Sequence, residues 1–477
     1  MKLTFMGQQS WAVESGRLFV LIDPVLPDWF GTTDRQRFEI WPPRRIAMDR
    51  MPYVSAVVIT NEHLDHFNLR SLLLLPKSTP IYVGTLTPSS CIEAVRRAGM
   101  TVHLLEDREK LVLEDLVISL YLCGPESAPW EKRVYHAVVC ETSSNQSVII
   151  QSDGLISPDL VGDITSGDIA PVSFFVATNN AQVVPPNASG TYDNLLPIGE
   201  PSNEGPFGIR VFNEVLCRST QDLGYVPYLA FCGGGYLQSP PKHGPFLLTD
   251  ASGLQRCLDT LGLEQKVYCP TPGDSYVLYK LEERIEVRQT KAEWVEPKQC
   301  TVAPPPQRGD WFDQGIFDDL AVNEARDAAR HLIAQELSTM APALLFSEVG
   351  RLITASNAYI NGPTGSHRFA IRFYEGASRH VMTAALDINR CRFDWLSTSD
   401  DQVIHTIPFG IDVYLADFHE LLQGGLQIWE LATARMRQWY LGTDKLRSPI
   451  SFLYGYFSEQ VRPEIAAKMY ARIALER

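Results

Sequence analysis

The sequence predicts an α/β fold followed by a smaller α+β unit. Three observations carry this reading. Short apolar runs alternate with helical segments between residues 56 and 121. Two apolar runs stop abruptly at polar, ligand-capable side chains, at Asp65-His66 and at Asp153-Gly154. Beyond the stretch containing Pro304-Pro305-Pro306 the texture changes, and a long amphipathic helix pattern opens at Asn323.

The 477 residues exceed what one ordinary core organises, so more than one domain is expected. We divide the chain into a catalytic domain over 1–290, a linker over 291–310 and a C-terminal domain over 311–477 that covers substrate or mediates oligomerisation. A net charge of −14 argues against a nucleic-acid or anionic-membrane surface. No apolar run approaches the ~20 residues of a membrane span, and the opening Met1–Phe5 does not resemble a signal peptide. The nine cysteines are scattered, without a Cys-x-x-Cys pair. That suits reduced thiols in a cytoplasm better than a disulfide framework. There is also no paired Cys-x-His and Cys-x-x-His motif, so no Rieske cluster is expected.

In order, the chain opens with strands at Leu3–Met6, Trp11–Glu14 and Leu18–Ile22, the last ending in Asp23-Pro24. Asp23 is either a turn residue or an acid supporting a nearby ligand. Residues 25–55 read as a long irregular loop rich in Pro, Trp and Arg, a candidate substrate wall. Within it Trp41, Arg44 and Arg45 are candidate substrate contacts, the arginines for a carboxylate or phosphate. The strand Ala56–Ile59 follows and breaks at Thr60 into Asn61-Glu62-His63-Leu64-Asp65-His66. His63, Asp65 and His66 are three metal-capable side chains within four residues, and two imidazoles with a carboxylate suit Zn²⁺, Fe or Mn.

Helices are expected at Leu69–Leu75 and Ser90–Ala98, and strands at Pro80–Val83 and Val102–Leu105, with two more in Lys110–Tyr121. Val134–Val139 is a strand carrying His136, and Ser147–Gln151 a strand running into Ser152-Asp153-Gly154. Pro171–Ala177 is a further strand, 185–208 a long loop, Phe212–Leu223 a helix, and Tyr228–Cys232 a strand running into Gly233-Gly234-Gly235. No Lys-Ser/Thr follows, so this is not a phosphate-binding P-loop. His243 comes next, then a helix at Leu254–Leu261 and a strand at Val267–Cys269. In the C-terminal part we expect a helix at Asn323–Ser338, antiparallel strands at Ala370–Tyr374 and Val381–Leu386, and helices at Val413–Leu422 and Leu426–Tyr440. The histidines at 331, 367, 380, 405 and 419 show no ligand spacing and are expected to be structural or solvated.

On these residues the first 275 positions resemble the metallo-β-lactamase fold, an αββα sandwich with its metal site along the strand ends. The family signature is His-x-His-x-Asp-His, then a later His, a bridging Asp and a final His. The resemblance places the signature on Asn61–His66, the later His at His136, the bridging Asp at Asp153 and the final His at His243. The implied metal ligands are thus His63, Asp65, His66, His136, Asp153 and His243. Asn61 stands where the family has its first His, and an amide oxygen does not replace an imidazole nitrogen. Three outcomes stay open: one metal, two metals with the first held by two histidines, Asp153 and water or Glu62, or an inactive site. Asn61 is then also a candidate substrate contact.

Gly7-Gln8-Gln9-Ser10 through Leu21–Val25 resembles lactonase- and phospholipase-like members. Gly235-Tyr236, Thr271–Asp274 and the C-terminal helices resemble the sialic-acid (CMP-N-acetylneuraminate) hydroxylase branch. The resemblance implies one of two enzymes. The first is a di-iron monooxygenase hydroxylating a bulky natural-product-like substrate, a carboxylate or its carrier thioester. The second is a zinc- or manganese-dependent hydrolase of a lactone, ester or phosphodiester. Asp65 and Glu62 are the expected catalytic carboxylates, Asp65 positioning the attacking water in the hydrolase. We expect the oxygenase, with two iron ions. Its partners would be a small-molecule substrate, an external reductase (no Gly-x-Gly-x-x-Gly is present) and a second copy of the chain. A metal-poor binding or scaffold protein is the third reading.

Overall fold

A computed structural model describes residues 1–127, 131–178, 192–194, 220–224, 226–232, 236–239, 255, 259–260, 262, 265–282, 284–299, 312, 315–321, 323–355, 365–377, 379–396, 407–440 and 450–476. Period-2 alternation builds the first part. Val20, Ile22, Ala56 and Val58 point to one side of their strands; Leu21, Val57 and Ile59 point to the other. Both sides are apolar, so this sheet must be covered on both faces.

The first sheet has eight strands, in the order Arg284–Lys291, Asp274–Leu281, Lys2–Gly7, Ser10–Ser15, Leu18–Ile22, Ala56–Ile59, Ile81–Gly84 and Val102–Leu105. The second has seven: Lys110–Leu113, Leu116–Leu122, Tyr135–Glu141, Gln146–Ile150, Val172–Thr178, Tyr228–Cys232 and Lys266–Tyr268. Leu3, Trp11, Val20 and Val58 meet Ile118, Ala137, Val148 and Phe174 between the sheets. Outside the first sheet, Leu72 and Val95 of helices Leu69–Leu74 and Ser89–Arg97 pack on Leu21, Val57 and Ile81. Outside the second, Leu160 of helix Pro158–Ser166 packs with Val138, Ile149 and Phe175. The result is the αββα sandwich expected from the sequence.

Two strands aim the site. Ala56–Ile59 runs parallel to both neighbours in its sheet, and Gln146–Ile150 runs parallel to Val172–Thr178. Their carboxyl ends meet across the sandwich, where Thr60 Oγ1 lies 2.9 Å from Ser152 Oγ and Tyr135 N donates to Thr60 O at 2.9 Å. Ligands of α/β sheets sit at such edges, where backbone groups leave the ladder.

Several expectations change. Residues 25–55 are not irregular throughout: Trp29–Phe30, Arg37–Ile40 and Arg44–Ile46 are short strands. They pair with distant partners, Arg37–Ile40 with Tyr236–Ser239 and Arg44–Ile46 with Val295–Pro297. The second pairing lies inside the stretch expected as a linker. Local propensity cannot reveal strands whose partners are 200 residues away. The helix expected at Val413–Leu422 begins only at Leu415. Phe409–Tyr414 is a strand, parallel to Phe369–Tyr374. Leu426–Tyr440 splits into helix Ile428–Ala434 and strand Arg437–Tyr440. Buried Asp412 explains both, because its carboxylate accepts from Arg372 Nε at 2.6 Å, Arg437 Nε at 2.7 Å and Trp439 Nε1 at 2.8 Å.

The C-terminal sheet runs Tyr192–Asn194, Arg437–Tyr440, Phe409–Tyr414, His367–Glu375, Arg379–Asp387, Arg392–Leu396. Helix Asn323–Phe346 packs on it through Ile333, Leu337 and Leu344. This unit does not stand apart from the sandwich. The last helix, Pro463–Leu475, buries Met469, Tyr470 and Ile473 against the first sheet's helices. Glu430 accepts from Thr32 N and Oγ1, and Phe30, Phe38, Tyr236 and Trp429 form one aromatic cluster. None of the described helices is long and apolar enough to cross a membrane.

Ile473→Ala is expected to lower the unfolding free energy by about 2–4 kcal/mol, the cost of a buried Ile cavity. Urea titration of the whole chain measures it, and an unchanged midpoint would refute the docking of this helix.

Candidate metal centre

The centre is built from four segments. The break at Thr60 is stabilised by Asp23, whose Oδ1 accepts from Thr60 N at 2.8 Å and whose Oδ2 accepts from Thr60 Oγ1 at 2.6 Å. Asp23 Oδ2 also lies 2.8 Å from His66 Nδ1. A proton on Nδ1 leaves the Nε2 lone pair of His66 facing Asp153 Oδ2 at 3.2 Å and Asp65 Oδ2 at 3.8 Å. Carboxylates orient metal-binding histidines in this way. Asp23 is thus an acid supporting a site residue. It has a φ of 48°, left-handed backbone uncommon for a non-glycine residue.

The turn between the first two strands supplies two amides. Gln8, at φ 55°, donates from Nε2 to Asp65 Oδ2 at 3.0 Å. Gln9 Nε2 donates to Asp153 Oδ1 at 3.3 Å and to Thr178 Oγ1 at 2.7 Å. Asn61 uses its whole amide. Its Oδ1 accepts from His63 N at 2.8 Å, and its Nδ2 donates to Ser152 Oγ at 3.0 Å and Asp153 Oδ2 at 3.4 Å.

The third segment brings in Glu131. His63, Glu131 and Asp153 each offer one ligand atom, all within 4.8 Å of one another. His63 Nδ1 is 3.2 Å from Asp153 Oδ2 and 4.0 Å from Glu131 Oε2. Glu131 was not anticipated from the sequence. It precedes its strand without a motif, and only its closeness in sequence to His136 marks the region. The fourth segment is C-terminal. Burial and neighbouring Glu62 raise Glu459 to about 7, and burial with Glu131 raises Tyr454. Both therefore lie within electrostatic reach of the centre. Tyr236 likewise lies within reach of Asp65 and Asp153.

The ionisation pattern follows from burial against charge. Burial opposes a charged His63, but Glu131, Asp153 and Glu62 outweigh it and push the ring up to about 10. Burial alike disfavours a charged Asp153, but His66 and His63 hold its carboxyl far below the usual range. Burial, Asp153 and Glu62 push Glu131 up to about 8 against the pull of His63. Asp65 is raised, by burial first.

Four expected site residues, His136, Arg44, Arg45 and Glu62, are placed otherwise. His136 stands beside the cluster with both nitrogens taken by backbone. Ser152 N donates to Nδ1 at 3.1 Å, and Nε2 is 2.9 Å from Leu155 O. It therefore corrects the expectation of a ligand here. Arg44 is fully buried and commits four of its five N–H groups to loop carbonyls, Met6 O at 2.9 Å, Pro27 O at 2.6 Å, Leu26 O at 3.3 Å and Val25 O, so its guanidinium is a loop organiser away from solvent. Arg45 is exposed and pairs with Glu296 at 2.7 Å. Glu62, expected to be catalytic, accepts from Arg133 Nε at 3.1 Å and from Nη2. Trp41 is half-buried at the end of strand Arg37–Ile40. His243 lies outside the described residues.

Neither a protein-family model nor a curated protein matches the chain's sequence. Solved structures do align. One is a possible metal-dependent hydrolase from Veillonella parvula, at 16% identity over 58% of this chain and 98% of that one, TM-score 0.38. Another is the isothiocyanate hydrolase from Delia radicum gut bacteria, at 18% identity over 58% and 98%, TM-score 0.38. A third is CmlA, a diiron β-hydroxylase from Streptomyces venezuelae, at 15% identity over 61% of this chain and 54% of that one, TM-score 0.38. The assignment of the αββα sandwich rests on this chain's own two sheets.

Burial holds His136 neutral and lowers its pKa to about 4. An unfolded ring titrates near 6.5, so it takes a proton first as pH falls. The neutral ring therefore contributes about 3 kcal/mol above pH ~7, and this is lost as pH drops from ~6.5 towards ~4. His136→Gln, which can keep both backbone bonds, should flatten that part of the stability–pH curve by about this amount in urea titrations.

Proposed function

We propose that the chain is a dinuclear metal enzyme of the oxygenase kind. One observation carries this: six buried carboxylates, Asp23, Asp65, Asp153, Glu62, Glu131 and Glu459, surround the centre, and among the described residues Arg133 is the guanidinium that pairs with them, through Glu62. Buried charge of one sign must be cancelled by pairing, protonation or a cation. Burial and neighbouring carboxylates push Glu131 up to about 8 and Glu459 to about 7 and raise Asp65, and divalent cations would let these groups ionise. Orphaned atoms fit the same group. Among the described residues, Glu131 Oε2 and His66 Nε2 are buried with no hydrogen-bond partner, although Asp153 is 3.2 Å from the latter.

His63, Glu131 and Asp153 would hold one cation, and Asp65, His66 and Asp153 the other. Two imidazoles among carboxylates, with no thiolate, suit iron or manganese better than a zinc site rich in His and Cys. Such a pair, when bound, supplies reductive activation of dioxygen, or water acidification in the hydrolase reading. The protein's own groups do the rest. Asp23 keeps the proton of His66 on Nδ1. Gln8 and Gln9 fix the orientation of Asp65 and Asp153. Tyr236 and Tyr454 lie within electrostatic reach of the carboxylates. Hydroxylating one C–H bond with one O₂ consumes two electrons and two protons and releases water, so an external reductase belongs to this reading.

Metal analysis of protein purified from iron-supplemented cells should find about two irons per chain, falling to about one in Glu131→Ala. Colourless, zinc-only protein with esterase or phosphodiesterase activity would instead establish the hydrolase. Asp23→Asn should weaken metal binding about 10–100-fold, the usual effect of removing a carboxylate behind a ligating histidine, as read by chelator competition.

A further inference from the structure

Arg133 sits two residues after Glu131, on a short turn. Val134 N donates to Glu131 O at 3.0 Å, and Cys123 Sγ lies 2.9 Å from the same carbonyl. The guanidinium reaches across to Glu62, with Nε and Nη2 both on Oε1. Glu62 immediately precedes His63. The contact therefore ties the segment bearing Glu131 to the segment bearing His63, side chain to side chain. Beside it the backbone adds one bond, Tyr135 N to Thr60 O at 2.9 Å. A third segment joins. Glu459, from the turn before the last helix, is near enough to Arg133 and Glu62 for each to shift its charge balance. Its Oε1 accepts from Gln427 Nε2. Arg133 is mostly buried, with 18% of its side chain exposed, and Glu62 is fully buried. A partly desolvated, two-point guanidinium contact is geometrically restrictive in a way a lysine is not.

We propose that Arg133 is a positioning residue that, through Glu62, holds the Glu131 carboxylate in register with His63 and Asp153. The inference rests on the metal-centre reading. It makes that centre dependent on three segments that are far apart in the chain, and it gives Glu62 a role in support of ligands, not in chemistry.

Electrostatics and positioning predict opposite signs. Arg133 is a positive charge near a cation site, so its removal by simple Coulomb interaction should tighten metal binding. If it positions Glu131, its removal should loosen binding. The test uses Co²⁺ as the probe on the full metal-free chain, by calorimetric titration and visible ligand-field spectra, for Arg133→Met and Arg133→Lys. Circular dichroism confirms folding. We expect both variants to lose at least tenfold in affinity for one of two Co²⁺ ions and to change that ion's spectrum. Arg133→Lys, which keeps the charge and loses the two-point contact, is the variant to use if Arg133→Met does not fold. Unchanged or tighter binding with an unchanged spectrum in a folded variant overturns the positioning role alone. Absence of Co²⁺ binding by the parent chain overturns the metal-centre reading and this inference with it.

Discussion

Asp153 between two imidazoles is the interaction on which the centre depends. It lies 3.2 Å from His63 Nδ1 and 3.2 Å from His66 Nε2, so it ends the Gln146–Ile150 strand where Ala56–Ile59 ends opposite. The two sheets must therefore be registered to within a fraction of a hydrogen bond, and their shared apolar core does this. Trp11, Val58, Val148 and Phe174 are fully buried between them. The core fixes where the strand ends fall. Polar contacts at the edge, Thr60 to Ser152 and Asn61 to Ser152, then lock the angle. Dense carboxylate packing is tolerable only with this much hydrogen bonding, because an unpaired buried charge costs several kcal/mol.

Backbone geometry at the same edge points to the same place. Asp23 and Gln8 are two of seven non-glycine residues with positive φ, and both hold site side chains. Left-handed backbone costs roughly 1–2 kcal/mol per ordinary residue, and persists where the surroundings over-determine it. Here the surroundings include the Asp23 contacts to Thr60 and His66 and the Gln8 contact to Asp65. The orientation of the site residues is thus built into main chain as well as side chain. A rigid edge of this kind suits chemistry that needs ligands held before a cation arrives.

The sandwich was legible because its signals are local. Val20–Ile22 and Ala56–Ile59 are unbroken apolar runs, and the second breaks into a burst of ligands. His63, Asp65, His66 and Asp153 were recognisable on the same grounds, since each sits at the end of an apolar run. Glu131 was not, because a carboxylate on a turn gains its meaning only from His63 and Asp153, which are 68 and 22 residues away in the chain. The same holds for Glu459 and Tyr454, brought in by a helix that docks on the opposite end of the sequence. His136 misled because a histidine at a strand start looks alike whether its nitrogens meet a metal or the backbone of Ser152 and Leu155. In the C-terminal unit, Phe409–Tyr414 looked helical at its end because the deciding contact, Asp412 with Arg372 and Arg437, joins three strands.

These misreadings share a direction, and it bears on what the centre can hold. Asn61 stands where a ligating imidazole was looked for, and its amide is committed to His63 N, Ser152 and Asp153. His136, another expected imidazole, is committed to backbone. Glu131 stands within reach of His63 instead. Imidazole is therefore withdrawn from two expected positions and carboxylate is added at a third, while Asp153 and Asp65 keep theirs. Each change trades a neutral nitrogen donor for an anionic oxygen or for none. Among the described residues the donor set is thus richer in carboxylate than in imidazole. It also raises the cost of leaving the site without cations, because carboxylates repel one another where imidazoles would not. Arg133 offsets part of that repulsion from outside the ligand set. Its direct partner is Glu62, the neighbour of His63, so the guanidinium balances charge next to the ligand set without entering it.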